Sequence, residues 1–432
     1  MGERGVPCCG LLGLQLSRPW AARWTALGLA VVCAVGCNAV SGVGDYQFGG
    51  PSGAGGTSSA GSGGVGATGG GGAGGTAGGG VGGNGAAAPE WYDPSFQYRR
   101  RLTLADSAGT EPQVDFPLHV MFDQTRIDYA HVQADGRDLR FVAEDDSTLL
   151  DYEIGFWDSN GTSFVYVEVP LLPAGTDTGF VWMYYGNPSA TDAQDPAGTW
   201  SNGYEAVWHM DASLRDSTGN NHQGTGSNIG DAPGTSGRAQ EFNGTNSTVV
   251  ISQTSGMAGL FANGGTITAV IFPQTFGENN RGRIIDMSTA VTFTNGWGLT
   301  VDDSGSNETL EFGRGYSVNW AMWGAPASSV NLNTWQHVAV VFDESANAAP
   351  ALYIDGVAQG ITTVNAPSGA PQSAVGSGLR IGNVAVDGSR TFDGYIAEVR
   401  AASVSRSSGW IGAQVRAILD TIVTVGPEET RP

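Results

Sequence analysis

Apolar and polar residues alternate with a period of two through most of the chain beyond position 90. In Phe164-Val-Tyr-Val-Glu-Val169 the three valines share one face, and Phe180-Val-Trp-Met-Tyr-Tyr185 has the same character before a Gly-Asn-Pro turn. Successive side chains of a strand point to opposite faces, so such runs predict half-buried strands. Similar runs lie at 266–272, 283–287, 297–301, 336–342, 351–355, 379–381 and 395–400. Gly, Asn, Asp, Ser and Pro, the residues of tight connections, separate them. Helical periodicity emerges near the end, where Ile411, Val415, Ile418 and Ile422 recur three and four residues apart behind Ser407 and Ser408, either able to cap. The pattern predicts an all-β protein of two antiparallel β-sandwich modules with one short C-terminal helix. A break at 196–203 divides them, with modules expected at 90–200 and 203–427.

Ahead of the alternation the pattern changes twice. Arg4, Arg18 and Arg23 precede the apolar run 25–36. A basic stretch followed by about a dozen apolar residues predicts an export signal at 1–36, too short for the roughly 20 residues of a membrane span. The run ends Ala34-Val35-Gly36-Cys37, which resembles the lipobox of bacterial lipoproteins. There the cysteine thiol takes a diacylglycerol and becomes the mature N-terminus. The resemblance implies lipidation at Cys37 and a place in the cell envelope, at the periplasmic or surface face of the outer membrane. The cysteines are Cys8, Cys9, Cys33 and Cys37, so nothing later in the chain supplies a disulfide framework and core burial must stabilise the fold. Residues 37–89 hold much of the glycine, with Ala, Ser and Thr. They bury too little to offset ordering entropy and are expected to form a disordered tether, with a mean span on the order of 40 Å.

Charge narrows the partners. All 20 basic residues are Arg, against 41 Asp and Glu, for a net charge of −21. A surface this acidic repels phosphate backbones, which argues against nucleic acid.

Longer motifs sharpen the two modules. The stretch 91–104 (Trp-Tyr-Asp-Pro-Ser-Phe-Gln-Tyr-Arg-Arg-Arg-Leu-Thr-Leu), with Asp115-Phe-Pro-Leu-His-Val120, Asp138-Leu-Arg-Phe141 and Tyr184-Tyr-Gly-Asn-Pro-Ser189, resembles the bacterial DUF2341 domain. That family has no assigned activity and commonly precedes a laminin-G-like domain. Six further motifs follow: Ala206-Val-Trp-His-Met-Asp211, Asp216-Ser-Thr-Gly-Asn-Asn221, Ala239-Gln-Glu-Phe-Asn-Gly244, then 335–343, Leu352-Tyr-Ile-Asp-Gly356 and 392–400. In this order they resemble the laminin-G-like, concanavalin A-like jelly roll, with Trp410-Ile411 and Thr424-Val-Gly-Pro-Glu428 as its closure after a DUF2341 module. The resemblance implies lectin or adhesion chemistry and, in some members, glycan hydrolysis.

Candidate chemistry falls in three places. Asp216, Asn220 and Asn221 put several oxygens in one short loop, as a hard cation requires; a self-bonded Asx turn is the competing reading. In related jelly rolls such a loop and an acidic pair near the last strand hold a structural Ca²⁺. The pair corresponds to Ala397-Glu398, which leaves Glu398 as the fourth ligand. Tyr316, Trp320 and Trp323 lie between predicted strands beside Arg314 and Asn319, where flat rings can stack on sugars; core packing competes. Trp297 and Trp335 open strand runs and are expected in the core. Asp302, Asp303 and Glu311 are carboxylates that glycosidic cleavage, needing two at about 5–10 Å, can recruit. The usual Glu-x-Asp-x-x-Glu strand is absent, however, as are a zinc-hydrolase His pair, a nucleophile elbow and a Walker loop. His209 and His337, inside the strand motifs, read as structural.

The sequence thus predicts an envelope-anchored, non-catalytic binding or adhesion module for a glycan or an extracellular protein. Its rivals are a carbohydrate-active hydrolase of the same fold and a structural envelope module without a small ligand.

Overall fold

The computed structural model describes residues 91–432 apart from Gln253, Ser304, Ser306, Asn307 and Asn347. Residues 1–36, read as an export signal, Cys37 and the glycine-rich stretch lie outside the described residues. The first strands are β1 (Tyr98–Leu104), β2 (Gln113–Phe122), β3 (Arg140–Val142), β4 (Leu149–Leu150), β5 (Tyr152–Phe156), β6 (Ser163–Leu172) and β7 (Gly179–Tyr185). One sheet runs β2-β6-β5; the other contains β1-β7-β3-β4. Val165, Val167 and Val169 share one face of β6, as their alternation predicts, and pack with Leu102, Phe141 and Met183 of the facing sheet. Phe164 and Tyr166 on the opposite face are also buried, because a second sandwich covers it.

A capped turn, α1 (Pro196–Thr199), leads into β8 (Tyr204–Trp208), β9 (Gly224–Ser227), β10 (Gly230–Ala232), β11 (Ala239–Asn243) and β12 (Thr248–Ile251). Then come β13 (Gly265–Pro273), β14 (Arg283–Ser288), β15 (Gly296–Asp302), β16 (Thr309–Gly315) and β17 (Trp320–Gly324). β18 (Gln336–Phe342), β19 (Ala351–Ile354), β20 (Val357–Ala358), β21 (Thr362–Asn365), β22 (Leu379–Ile381) and β23 (Asp393–Ala402) complete this sandwich. Its inner sheet is ordered β10-β11-β23-β13-β18-β19-β20, with β8 also on β23; its outer sheet is β21-β17-β16-β15-β14-β22-β12-β9. Trp208, Trp297, Phe312 and Phe342 fill the space between them. The fold is all-β with antiparallel sheets, as expected.

The chain then returns to the first sandwich. α2 (Ser408–Ile418) starts at Ser407, whose hydroxyl accepts from Trp410 N. The helix is buried on nearly every side, as it must be when protein covers it all round. Trp410 packs edge-on against Phe116, with ring centroids 4.9 Å apart. Ile422, the last residue of the predicted helical stripe, lies beyond the helix and is buried in the turn that follows. β24 (Val423–Thr430) then pairs antiparallel with β1. The segment expected to close the jelly roll therefore completes a sheet of the first sandwich. The ion pairs Arg416–Asp106 and Arg126–Asp420 pin this return. Outward residues of the inner sheet, Val207, Ala339, Tyr353 and Ala402, join the apolar cluster of the first sandwich, so the two sandwiches share a core.

Candidate ligand rim and the charges around it

The residues singled out from sequence separate into an exposed edge, a buried polar face, a turn and an internal seam. At the edge, β16 and β17 form a hairpin whose tip is tied to residues 366–372. Tyr316 N donates to Asn319 O (2.8 Å), Ser317 N to Ala370 O (2.8 Å) and Val318 N to Ser368 O (3.2 Å). The Asn319 amide donates to Ala366 O at 2.7 Å and accepts from Ser368 N at 2.9 Å. Its side chain is thus spent on joining the two loops. Tyr316 and Trp320 remain half-buried, while Val318 is 73% exposed and Val364, on the sheet-edge strand β21, is 53% exposed. The result is an aromatic and apolar rim where the hairpin tip meets the sheet edge, tied by backbone bonds to residues 366–372.

Two of the four predicted contact residues are not at this rim. Trp323 is 3% exposed and packs against Phe312 and Phe342. It belongs to β17, not to a loop, and strand alternation from Trp323 through Ala321 turns it inward. Arg314 is equally buried. Its guanidinium donates to Glu344 at 2.6 Å and to Gly296 O at 2.9 Å. It braces the hairpin base and is not offered to a ligand.

Glu311, Asp302, Thr300, Arg283 and Asp286 lie on the opposite face of the outer sheet and are all nearly inaccessible. Phe293 covers this face, lying where β-carbons at Gly298 and Gly313 would collide with its ring. The Arg283 guanidinium stands 4.1 Å over that ring and pairs with Asp286 at 3.1 Å. Burial and the neighbouring Asp302 carboxylate push Glu311 up to about 7, while Arg281 pairs with Asp302. The candidate carboxylates Asp302 and Glu311 are therefore held inside the fold and not in an open cleft.

Asp216 is buried. Its carboxylate accepts from Val207 N (3.0 Å), His222 N (2.9 Å), Thr218 N (3.0 Å) and the Thr218 hydroxyl (2.8 Å). Asn220 and Asn221 donate their amides to Glu205 O and Gly219 O. Glu398 shares no partner with this loop and bonds to His209 and Arg400. These four residues do not fit a calcium shell: N–H and O–H donors crowd the carboxylates that a cation needs free. Among the described residues no group of three His, Cys, Asp or Glu side chains is placed to hold a metal. The Asx-turn reading explains the loop.

Glu398 belongs to a seam that the motif reading did not resolve. His119, Tyr166 and Glu153 lie in one row across the sheet β2-β6-β5. Glu398, Arg400 and His209 face them from the second sandwich. Glu398 gets there through a bulge: it has φ of 50°, and the register of β13 with β23 slips beside it. Two residues thus separate inward Ile396 from inward Val399, which turns Glu398 to the side of Arg400. His209 lies 3.1 Å from Glu153 and 3.0 Å from Glu398, and Arg400 lies 2.8 Å from Glu398. Glu153 also accepts from Trp200 Nε1 and the Ser217 hydroxyl, both at 2.7 Å. Burial alone would lower the His209 pKa, but the Glu398 and Glu153 carboxylates raise it to about 10. Burial would raise Glu398, but His209 and Arg400 hold it well below the usual carboxylate range. His119 and His337 lack such partners, and burial pushes them down to about 4 and about 3. His209 is thus structural as expected, but as a buried cation; the outward alternation of Val207 and His209 was the available sequence signal.

Comparison with known proteins fits this architecture. Residues 243–412 match the family model of the concanavalin A-like lectin/glucanases superfamily, and residues 135–213 match a domain of unknown function, DUF2341. Along the chain the DUF2341 match thus precedes the concanavalin A-like match. No curated protein matches the sequence. Similar solved structures include the binding domain of Paraclostridial mosquitocidal protein 1, at 13% identity, covering 50% of this chain and 52% of that one, with TM-score 0.38. Domain 4 of AbnA, a GH43 extracellular arabinanase from Geobacillus stearothermophilus solved with arabinotriose, is 20% identical; 48% of this chain and 96% of that one are covered, with TM-score 0.34. A botulinum neurotoxin type C structure, concerned with cell entry through two ganglioside molecules, is 13% identical over 50% and 51%, with TM-score 0.38. The chain spans about half the length of the two toxin structures.

Proposed function

We propose that the chain is an exported, lipid-anchored binding protein whose two sandwiches form one head. Cys37 carries the lipid, residues 37–89 are the tether, and the jelly roll recognises a glycan at the rim of Tyr316, Val318, Trp320 and Val364. The carrying observation is the pairing of two half-buried aromatic rings with a loop backbone bonded throughout. Rings displayed on a preorganised frame lose little entropy on binding and stack on the apolar faces of sugars. A polysaccharide pull-down and glycan array with the full chain test this. Trp320→Ala and Tyr316→Ala should each weaken capture about tenfold, the size of a lost 1–2 kcal/mol contact. A blank array, or capture indifferent to both substitutions, sinks the reading.

One observation favours a hydrolase: Glu311, raised to about 7, sits beside Asp302, the relation of a general acid to a carboxylate partner. Reducing-sugar release that Glu311→Gln abolishes would establish it. The cover of Phe293 over this face supports binding over cleavage.

A further inference from the structure

One end of the first sandwich opens into a cleft of about 440 Å³, a volume typical of ligand sites. It is unrelated to the rim and lies in the module whose family has no assigned activity. The walls include Leu171, Phe180, Val181 and three prolines, Pro112, Pro170 and Pro173. Proline brings no N–H, so these stretches of wall offer contact area with few donors. Leu171 is 51% exposed and pairs across the sheet with Val114, itself 57% exposed. Asp115, with φ of 49°, lies opposite Pro170, which has no N–H to give, so one rung of the ladder beside the pair is missing while the register runs on unchanged.

The polar part of the cleft has one sign. Glu144, Asp145 and Asp177 line it and are all exposed, and no basic residue does so. Hydrogen bonds from Thr148 and Ser147 hold Asp145 at about 2, so it stays ionised. Arg101 lies nearby with its guanidinium 3.8 Å from the Phe180 ring centroid, showing that the ring accepts a cation over its face. Neither the apolar walls nor the acids alone specify an occupant; together they describe one. An apolar side chain fills the cleft while adjoining cations meet the acids, and a net charge of −21 favours the approach of such a partner.

We propose that this cleft docks a peptide segment of another protein in which an apolar side chain is flanked by Arg or Lys. The test is fluorescence anisotropy on the full chain with a labelled Arg-Leu-Phe-Arg peptide, against Glu-Leu-Phe-Glu and uncharged Ser-Leu-Phe-Ser controls. The basic peptide should bind at least tenfold tighter than either control and weaken severalfold between 50 and 300 mM salt, a range over which screening shortens markedly. Leu171→Ser should weaken it about tenfold and the double variant Glu144→Gln/Asp177→Asn about fivefold. These positions are exposed, and an unchanged circular dichroism melt confirms folding. Trp320→Ala should leave peptide binding unchanged, which separates this site from the glycan rim. Equal binding of the three peptides would overturn the proposal in favour of a general apolar ligand. Self-association lost in Leu171→Ser would assign the cleft to a second copy. Binding of no peptide, or binding indifferent to both sets of substitutions, would also overturn it.

Discussion

The seam between the sandwiches and the rim at the outer-sheet edge both combine aromatic rings with polar groups, yet they direct their bonds in opposite ways. In the seam every side-chain carboxylate is answered from within: Glu153 by His209, Trp200, Arg215 and Ser217, Glu398 by His209 and Arg400. Tyr166 stacks on His209 at 4.7 Å, and Arg400 lies over the Trp200 ring at 4.8 Å. At the rim it is the backbone that is answered, and the rings of Tyr316 and Trp320 stay half-exposed. Buried ions tolerate only one arrangement, because a lost partner leaves a charge in low dielectric. The seam therefore fixes how the halves meet, while the rim, whose one buried cation, Arg314, is already answered by Glu344, leaves its rings free to accept a foreign surface.

The largest test breaks that contrast by substitution. Glu398→Ala leaves imidazolium His209 and guanidinium Arg400 facing each other without their shared carboxylate, and breaking a buried pair in this way costs about 3–5 kcal/mol. Trp320→Ala, at the edge, should change stability by roughly 1 kcal/mol or less while weakening glycan capture about tenfold. Urea denaturation of both variants measures this. Comparable losses would mean that the rim is also part of the core.

The next test uses pH, to which the buried histidines of the seam and two buried carboxyls outside it respond in opposite directions. His119 and His337 are held near 4 and 3 in the fold, below the ordinary 6.5. Below pH 6.5 the unfolded chain therefore binds protons that the folded chain refuses, and stability falls towards acid by up to about 1.4 kcal/mol per pH unit for each. His209 works in the opposite direction. With its folded pKa near 10, its contribution is complete below 6.5 and is lost as pH rises towards 10. Glu311 and Asp355, raised by burial to about 7, oppose that acid limb, because their folded-state protons stabilise the fold at low pH and are lost towards pH 7. The urea midpoint should therefore change little from pH 4.5 to 6.5 and fall above it. His119→Phe should unmask a fall in the midpoint between pH 4.5 and 6.5, and His209→Gln should flatten the alkaline limb. A midpoint constant from pH 4.5 to 9 would contradict this account of the seam.

How much of this could be read from the chain depends on whether one element or two determined the outcome. Period-two runs placed β6, β7, β13, β15 and β18, because each strand's own alternation shows in its side chains. Ser407 was legible as a cap for the same local reason. The Trp320–Gly324 strand was hidden because Tyr316, Trp320 and Trp323 suggested an aromatic loop; burial of Trp323 depends on Phe312 and Phe342, which arrive from other strands. Glu398 was misleading for a similar reason. Its motif position suggested a metal ligand, but a bulge sets its direction and a histidine 189 residues away takes its charge. The return of β24 to β1 was equally invisible, since the tail's sequence fits either sandwich.

The smallest expected effect is the response to calcium, and it probes the loop that both sequence readings claimed. A cation bound only by the native state stabilises it by RT ln(1 + [L]/Kd), about 2.7 kcal/mol at a hundredfold excess over Kd. Such binding needs carboxylate lone pairs facing an open position. At Asp216 those lone pairs face the N–H groups of Val207, Thr218 and His222, whose positive ends repel a cation where they hold an anion. Adding about 5 mM calcium, ample for a site of ordinary extracellular affinity, should therefore shift the melting temperature by less than about 1 °C. Asp216→Asn should lower the melt equally with and without the ion, because it replaces an acceptor oxygen with a donor among donors. A calcium-dependent rise that vanishes in Asp216→Asn would show that the turn opens to become a shell. The loop would then join the rim as a surface that waits for an external partner.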